Sequence, residues 1–253
     1  MIEIEKIVKY YDKNLILDEI DLRLPKEKII AFIGSNGAGK STLLSIVGRT
    51  LQKNSGNIYI DEREISEWKN RELATRLSIL QQSNNVLVKL TVEELVSFGR
   101  FPHSQGKLTD IDYQKIEEAI TYMGLDALRD CYLDELSGGQ KQMAYIAMTL
   151  AQDSEYIFLD EPLNNLDMKH SVQIMKILKK LVTELKKTIL IVIHDINFVS
   201  CYSDYIIALK NGKIIAQGSN EEVMKPEILK QIYDIDIDIQ CIGDKNICLY
   251  YGT

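Results

Sequence analysis

Residues 34–42 read GSNGAGKST: glycines at 34, 37 and 39, then a lysine and two hydroxyls. The spacing matches G-x-x-x-x-G-K-[ST], in which glycine lets the backbone bend until several N–H groups converge on one anion. In that pattern Lys40 reaches the β- and γ-phosphates of a nucleoside triphosphate and the Ser41 hydroxyl ligates Mg²⁺. Ser35, Asn36, Gly37, Ala38, Gly39 and Thr42 complete the candidate ATP cradle. Hydrolysis also needs a metal-binding carboxylate and a group that activates water. YIFLDEP (156–162) offers both: Asp160 ends an apolar run as the candidate Mg²⁺ ligand, and Glu161, pointing elsewhere, is the candidate to polarise the attacking water. The competing view makes this pair a cap for the helix after Pro162.

Three further side chains complete the candidate chemistry. His194 follows the apolar run TILIVI, where an imidazole can contact a γ-phosphate or hold the water; a satisfied structural histidine is the alternative. Gln82 carries a neutral amide able to reach Mg²⁺ or water without disturbing the charge balance, although Gln81 beside it is equally polar. Tyr11 offers a ring to stack on adenine; Tyr10 is its rival, and an ordinary surface tyrosine the alternative to both.

ELSGGQKQ (135–142) is a second anion cradle of a different kind. Its glycine pair runs into a helix whose Met143, Ile146, Ala147 and Leu150 form one apolar stripe. That packing fixes the direction of the helix N-terminus, so Ser137, Gly138 and Gly139 are expected to present free N–H groups. The G-K-[ST] arrangement is missing: no lysine directly follows the glycine pair and no Mg²⁺-binding hydroxyl follows Lys141. Alone, this turn is an incomplete nucleotide site.

The elements that position these residues show in the hydrophobic periodicity. MIEIEKIV, LDEIDLRL and SGNIYIDE alternate apolar and polar residues, as half-exposed antiparallel strands do. KIIAFIG, YIFLDEP and TILIVIHD are uninterrupted apolar runs, the mark of strands covered on both faces. Between the last two, 168–187 places Ile174, Ile177, Leu178, Leu181 and Leu185 on one helical face. The fold class is therefore α/β: a largely parallel core of residues 1–85 and 153–230 with an N-terminal antiparallel β subdomain. Residues 86–152 carry helical patterns, including IDYQKIEEAITYMGL with a C-cap at Gly124, and read as an inserted helical subdomain. Residues 231–253 read as a C-terminal β-hairpin turning at 243–246, with Ile235, Ile237 and Ile239 inward; Asp234, Asp236 and Asp238 are then charges on a solvent face.

The chain has 253 residues, 45% hydrophobic and 26% charged, enough for a real core. A net charge of −7 argues against a broad nucleic-acid face. No run is long enough to span a bilayer and the start lacks a signal-peptide block, so a cytosolic chain is expected. Cys131, Cys201, Cys241 and Cys248 have no metal-like spacing and are expected as reduced thiols.

LSGGQ together with GSNGAGKST, YIFLDEP, NNLD and HD, in this order, resembles the ATP-binding subunits of ABC transporters across nearly the whole chain. The resemblance implies a P-loop ABC-type ATPase core and a homodimer of two copies packed head to tail. Ser137, Gly138, Gly139 and Gln140 of one copy then close on the ATP held by the other, and Leu166 and Asp167 lie in the loop that crosses the seam. It also implies a groove lined by residues 83–103, Leu87, Val88 and Phe101 among them, that receives a short helix from each of two integral-membrane permease subunits. The chain is then peripheral at the cytoplasmic face of the cell membrane. TVEELVSFGRFPH, LNNLDMKHSVQIMK and HDINFVSCYSDYIIALKNGK are most similar to ATPases of iron-chelate and cobalamin import, especially ferric-siderophore uptake of the petrobactin or catecholate type. An extracytoplasmic siderophore-binding protein is an indirect partner. The alternative is a soluble relative assisting iron–sulfur cluster assembly or another non-transport process.

Overall fold

The computed structural model describes residues 1–82, 88–243 and 245–251. They divide into two compact units, Met1–Trp68 with Thr188–Thr253, and Lys69–Lys187.

The first unit holds strands of two larger sheets and a two-stranded C-terminal hairpin. In one, the strands Asn14–Leu24, Ile2–Tyr11, Ser55–Ile60 and Arg63–Glu64 lie antiparallel in that order. The register puts Ile2 opposite Leu24 and Ile60, and Ile4 opposite Leu22 and Ile58. All six side chains are buried, so every other residue faces the core. Glu3 and Arg23, on the opposite face, pair across the same two strands at 3.4 Å. In the other sheet Ile29–Ile33 runs parallel to Thr188–Val192 on one side and Tyr205–Lys210 on the other, with Lys213–Gly218 as an antiparallel edge. Every residue of Ile29–Ile33 and Thr188–Val192 is buried, which explains why neither sequence alternates. Gly34 and His194 follow closely on the ends of these strands.

The second unit pairs Leu77–Leu80 in parallel with the fully buried Tyr156–Asp160. Its helices are Asn70–Arg76, Val92–Phe98, Phe101–Ser104, Asp110–Tyr122, Gly138–Ala151 and Met168–Leu185. Asp110–Tyr122 ends as the sequence suggests: Gly124 has φ +68, its N–H bonds Thr121 O, and the Leu125 N–H reaches back to Ile120 O at 3.0 Å. Leu125 and Ile120 are both fully buried, completing the hydrophobic half of this stop. The stripe of the long helix needs correction. Ile174, Leu178 and Leu181 are buried, joined by Met175 and Val182, but Ile177 is half-exposed and Leu185, at the last turn, is 45% exposed.

The C-terminal hairpin is shorter than expected. Residues up to Tyr233 belong to the helix Pro226–Tyr233, whose C-cap Asp234 takes a left-handed backbone, and the strands are Asp238–Ile242 and Lys245–Leu249. Ile237 is buried and Ile239 half-buried, but Ile235 precedes the strand and lies exposed. Lys245 and Asn246 pair with Ile242 and Cys241, so they belong to the ladder and not to the turn; Asp244 lies outside the described residues. Asp234 bonds Lys210 at 2.6 Å and Asp236 bonds Lys230 at 2.7 Å. The four cysteines are free thiols. Among the described residues no helix is long and apolar enough to cross a membrane.

Candidate functional site

In the first unit, the chain leaves Ile29–Ile33 through Gly34, whose φ is +141. A side chain there would run into the Leu209 carbonyl, so the loop can lie against the neighbouring strand only because position 34 is bare. At Gly37, φ +77, a Cβ would meet nothing within 4 Å, and Ser35, Asn36 and Gly37 are exposed. The loop is thus packed at its base and open at its crown. Lys40 is 5% exposed, and its ammonium donates to Gly34 O at 2.8 Å and Ser35 O at 2.9 Å. A buried cation needs such partners, and these carbonyls hold it inside the curl of the loop. The helix Lys40–Val47 starts at Gly39 with no side-chain cap and no acidic residue in its first turn. Its positive end is left for an outside anion. Bare crown, held cation and uncapped helix suit a polyphosphate, and the Ser41 hydroxyl one residue on is the candidate Mg²⁺ ligand.

The same unit carries His194 and Tyr11. His194 is exposed just beyond Thr188–Val192. Tyr11 is the last residue of its strand, 46% exposed, with the Lys9 ammonium 5.2 Å from its ring centre. Tyr10 is 42% exposed, so exposure does not separate the two rings.

In the second unit, Asp160 is 7% exposed at the end of its strand. Glu161 follows with φ +51, an unfavourable value for a residue with a side chain. That turn sends its carboxylate to the amides of Gln82, whose Nε2 donates at 2.6 Å, and Asn164, whose Nδ2 donates to the same oxygen. The structure therefore brings Gln82 and Glu161 together, with Gln82 bonded to the carboxylate. Asn164 is missing from the sequence-derived site, although an asparagine three residues after a strand-end acid is a recognisable turn signal.

The 137–140 turn also corrects its expectation. Ser137 caps Gly138–Ala151 in a reciprocal box: its Oγ accepts the Gln140 N–H at 3.3 Å, and Gln140 Oε1 accepts the Ser137 N–H at 2.9 Å. Ser137 N–H is therefore occupied, and the donors left for an anion are Gly138 and Gly139. Ser137 and Gly138 are exposed; Gly139 is buried beneath His170, whose ring atoms lie 2.5–2.8 Å from where a Cβ would stand. His170 Nδ1 lies 2.8 Å from Asp167 Oδ1, and Asp167 caps Met168–Leu185 by accepting the His170 N–H, also at 2.8 Å. That backbone N–H, then the imidazole, holds the Asp167 carboxyl below its usual range. NNLD is thus a helix cap, and His170 ties it to the second cradle. The sequence-derived site lacks His170.

GRFPH (99–103) is mostly internal. A side chain at Gly99 would collide with Met148 O. Arg100, 4% exposed, donates to Asp112 at 2.8 Å and to Ala151 O at 2.8 Å. His103 Nε2 meets Gln152 O at 2.9 Å. Burial pushes the Asp112 carboxyl upward, but Thr109 and Arg100 outweigh it and leave it below the usual range. Phe101 is the outward residue, 60% exposed; Phe98 and Val88 are 54% and 67% exposed. Leu87 lies outside the described residues.

Against known proteins, the ABC transporter family profile matches residues 17–164. The petrobactin import ATP-binding protein YclP of Bacillus subtilis (strain 168) is 56% identical over 252 residues, 100% of both chains. A chain of an inward-facing metal-chelate type ABC transporter superposes with a TM-score of 0.84 at 23% identity, covering 99% of this chain and 98% of that one. The dimeric ATP-binding cassette MJ0796, solved in a post-hydrolysis state with ADP and Pi, gives 0.77 at 28% identity, covering 87% and 99%.

Proposed function

This chain is an ATP-binding, ATP-hydrolysing subunit of the ABC transporter family, and from that premise we propose that it powers uptake of a ferric siderophore of the petrobactin or catecholate type. The observation that carries the cargo assignment is the end-to-end identity with a petrobactin import ATPase.

In this scheme Lys40 and the N–H groups of the 34–42 loop bind the β- and γ-phosphates. Ser41 and Asp160 would hold Mg²⁺, with Gln82 as a further contact to the ion or the attacking water, and the ion would supply positive charge against the charge developing on the phosphates. Glu161, aimed by Gln82 and Asn164, accepts a hydrogen bond from the attacking water, and His194 contacts the γ-phosphate. Tyr11 stacks on adenine.

Two copies pair head to tail, and the N–H groups of Gly138 and Gly139, with Ser137 and Gln140 shaping the turn, complete the neighbour's ATP site. ATP then favours the closed dimer, and about 5 kcal/mol of preference moves a population from mostly open to mostly closed. Val88, Phe98 and Phe101 support a docking surface on the 86–152 helical region for two permease subunits. In this reading the chain works at the cytoplasmic face of the membrane, with an extracytoplasmic binding protein presenting the cargo.

The test is uptake of radioiron-labelled siderophores by a host strain lacking this chain. Restored ferric-petrobactin uptake by the wild type, but not by Lys40→Ala, is expected. Unaltered uptake in the deletion strain, with loss of iron–sulfur enzyme activity instead, would overturn the assignment.

A further inference from the structure

The residues after His194 are fastened to the C-terminal hairpin by contacts that the hydrolytic scheme does not use. Asp195 caps the helix Ile196–Tyr202, accepting the N–H of Asn197 at 2.8 Å and of Phe198 at 3.3 Å. The Asn197 side chain turns away from that helix and bonds both backbone polar atoms of Cys248. Its Oδ1 accepts the Cys248 N–H at 2.7 Å, and its Nδ2 donates to Cys248 O at 3.3 Å. This two-bond exchange imitates a strand partner, at a residue only 1% exposed. At the other end of the helix, Lys245 Nζ donates to Cys201 O at 3.2 Å. One strand, Lys245–Leu249, therefore grips a seven-residue helix at both ends.

A helix that short has little stability of its own. Its direction, and that of the residue just before its cap, is set by what holds it. The helix leading into the hairpin reaches toward the phosphate loop as well: the half-buried Tyr233 hydroxyl lies near the Gly34 backbone. The segment that carries His194 thus rests on the strand Lys245–Leu249.

We propose that Asn197 is a positioning residue for ATP hydrolysis: clasped to Cys248, it holds the 194–197 turn so that His194 presents its imidazole to the γ-phosphate. The hairpin is then a working part of the ATPase. This rests on the role given to His194 above, and the test separates the two.

Steady-state ATPase rates of the full-length chain at saturating Mg²⁺–ATP are compared for wild type, His194→Ala, Asn197→Ala and the double variant, with melting temperatures alongside. Asn197→Ala is expected to lower kcat on the order of tenfold, with KM for ATP within about twofold of wild type. In the His194→Ala background it should lower kcat no further, since it acts through that ring. Asn197→Asp keeps an acceptor for the Cys248 N–H and should recover part of the loss; it also carries the test if Asn197→Ala does not fold. A wild-type kcat for His194→Ala would sink the role of His194 itself. An impaired His194→Ala beside an unimpaired Asn197→Ala, or equal falls in both backgrounds, would sink only the positioning role. Failure of both Asn197 variants to fold would make the clasp purely structural and overturn the proposal.

Discussion

Replacing Gly139 with alanine tests how the second cradle is held. The new Cβ would stand 2.5, 2.6 and 2.8 Å from Cγ, Cδ2 and Nδ1 of His170. Comfortable carbon contacts begin at about 3.5 Å, so ring and turn must separate by about 1 Å. The ring cannot swing away freely, because its Nδ1 lies 2.8 Å from Asp167 Oδ1. Overpacking of this kind costs about 1–3 kcal/mol, and each kcal/mol lowers the melting temperature by about 2–4 °C in a chain of this size. A displacement of that size at the 138–139 donors should lower kcat by about a hundredfold. The decisive comparison is the double variant Gly139→Ala/His170→Ala. With the ring gone, the methyl has room, so Gly139→Ala should cost less than about 0.5 kcal/mol in the His170→Ala background, and kcat should return to the His170→Ala value. Calorimetry and ATPase rates on the four proteins give the coupling. Equal losses in both backgrounds would refute the claim that His170 sets the turn.

Lys40→Ala should abolish measurable ATP binding by equilibrium dialysis while leaving the fold intact, because its ammonium serves the loop and its phosphate. Glu161→Gln should bind ATP, lose phosphate release, and accumulate a dimer in size-exclusion chromatography with Mg²⁺–ATP. Asp112→Asn strips the buried Arg100 of its counter-charge and should cost about 3–5 kcal/mol at neutral pH in chemical denaturation. The Asp112 carboxyl lies below its unfolded value of about 4. Its stabilisation is therefore full above that pH and is lost as pH falls through the folded value, so the gap between variant and wild type should narrow in acid. Phe101→Asp, outside the core, should keep ATPase activity in solution but abolish co-purification with the permease.

The buried strands were plain in the sequence because a strand covered on both faces has no polar alternation, and Ile29–Ile33, Tyr156–Asp160 and Thr188–Val192 fit that rule. Leu77–Leu80 escaped it, being four residues long and containing a serine. The phosphate loop was legible because its chemistry is local: glycines, lysine and hydroxyl lie within nine residues. Contacts between distant residues left no such trace. Gln82 meets Glu161 across 79 positions, Asn197 meets Cys248 across 51, and His170 covers Gly139. Ile235 and Leu185 were misplaced for another reason. Periodicity says which residues share a face but not where an element ends, and both sit at an end.

In the proposed dimer two chains share each ATP, which cross-linking measures directly. In a background of Glu161→Gln with the native cysteines replaced, one preparation carries Ser35→Cys and another Ser137→Cys, both at exposed positions. Mixed with Mg²⁺–ATP and mild oxidant, they should form a disulfide-linked dimer that neither forms alone in comparable yield, and that Lys40→Ala abolishes. No cross-link in the mixture, or the same yield without ATP, would contradict it.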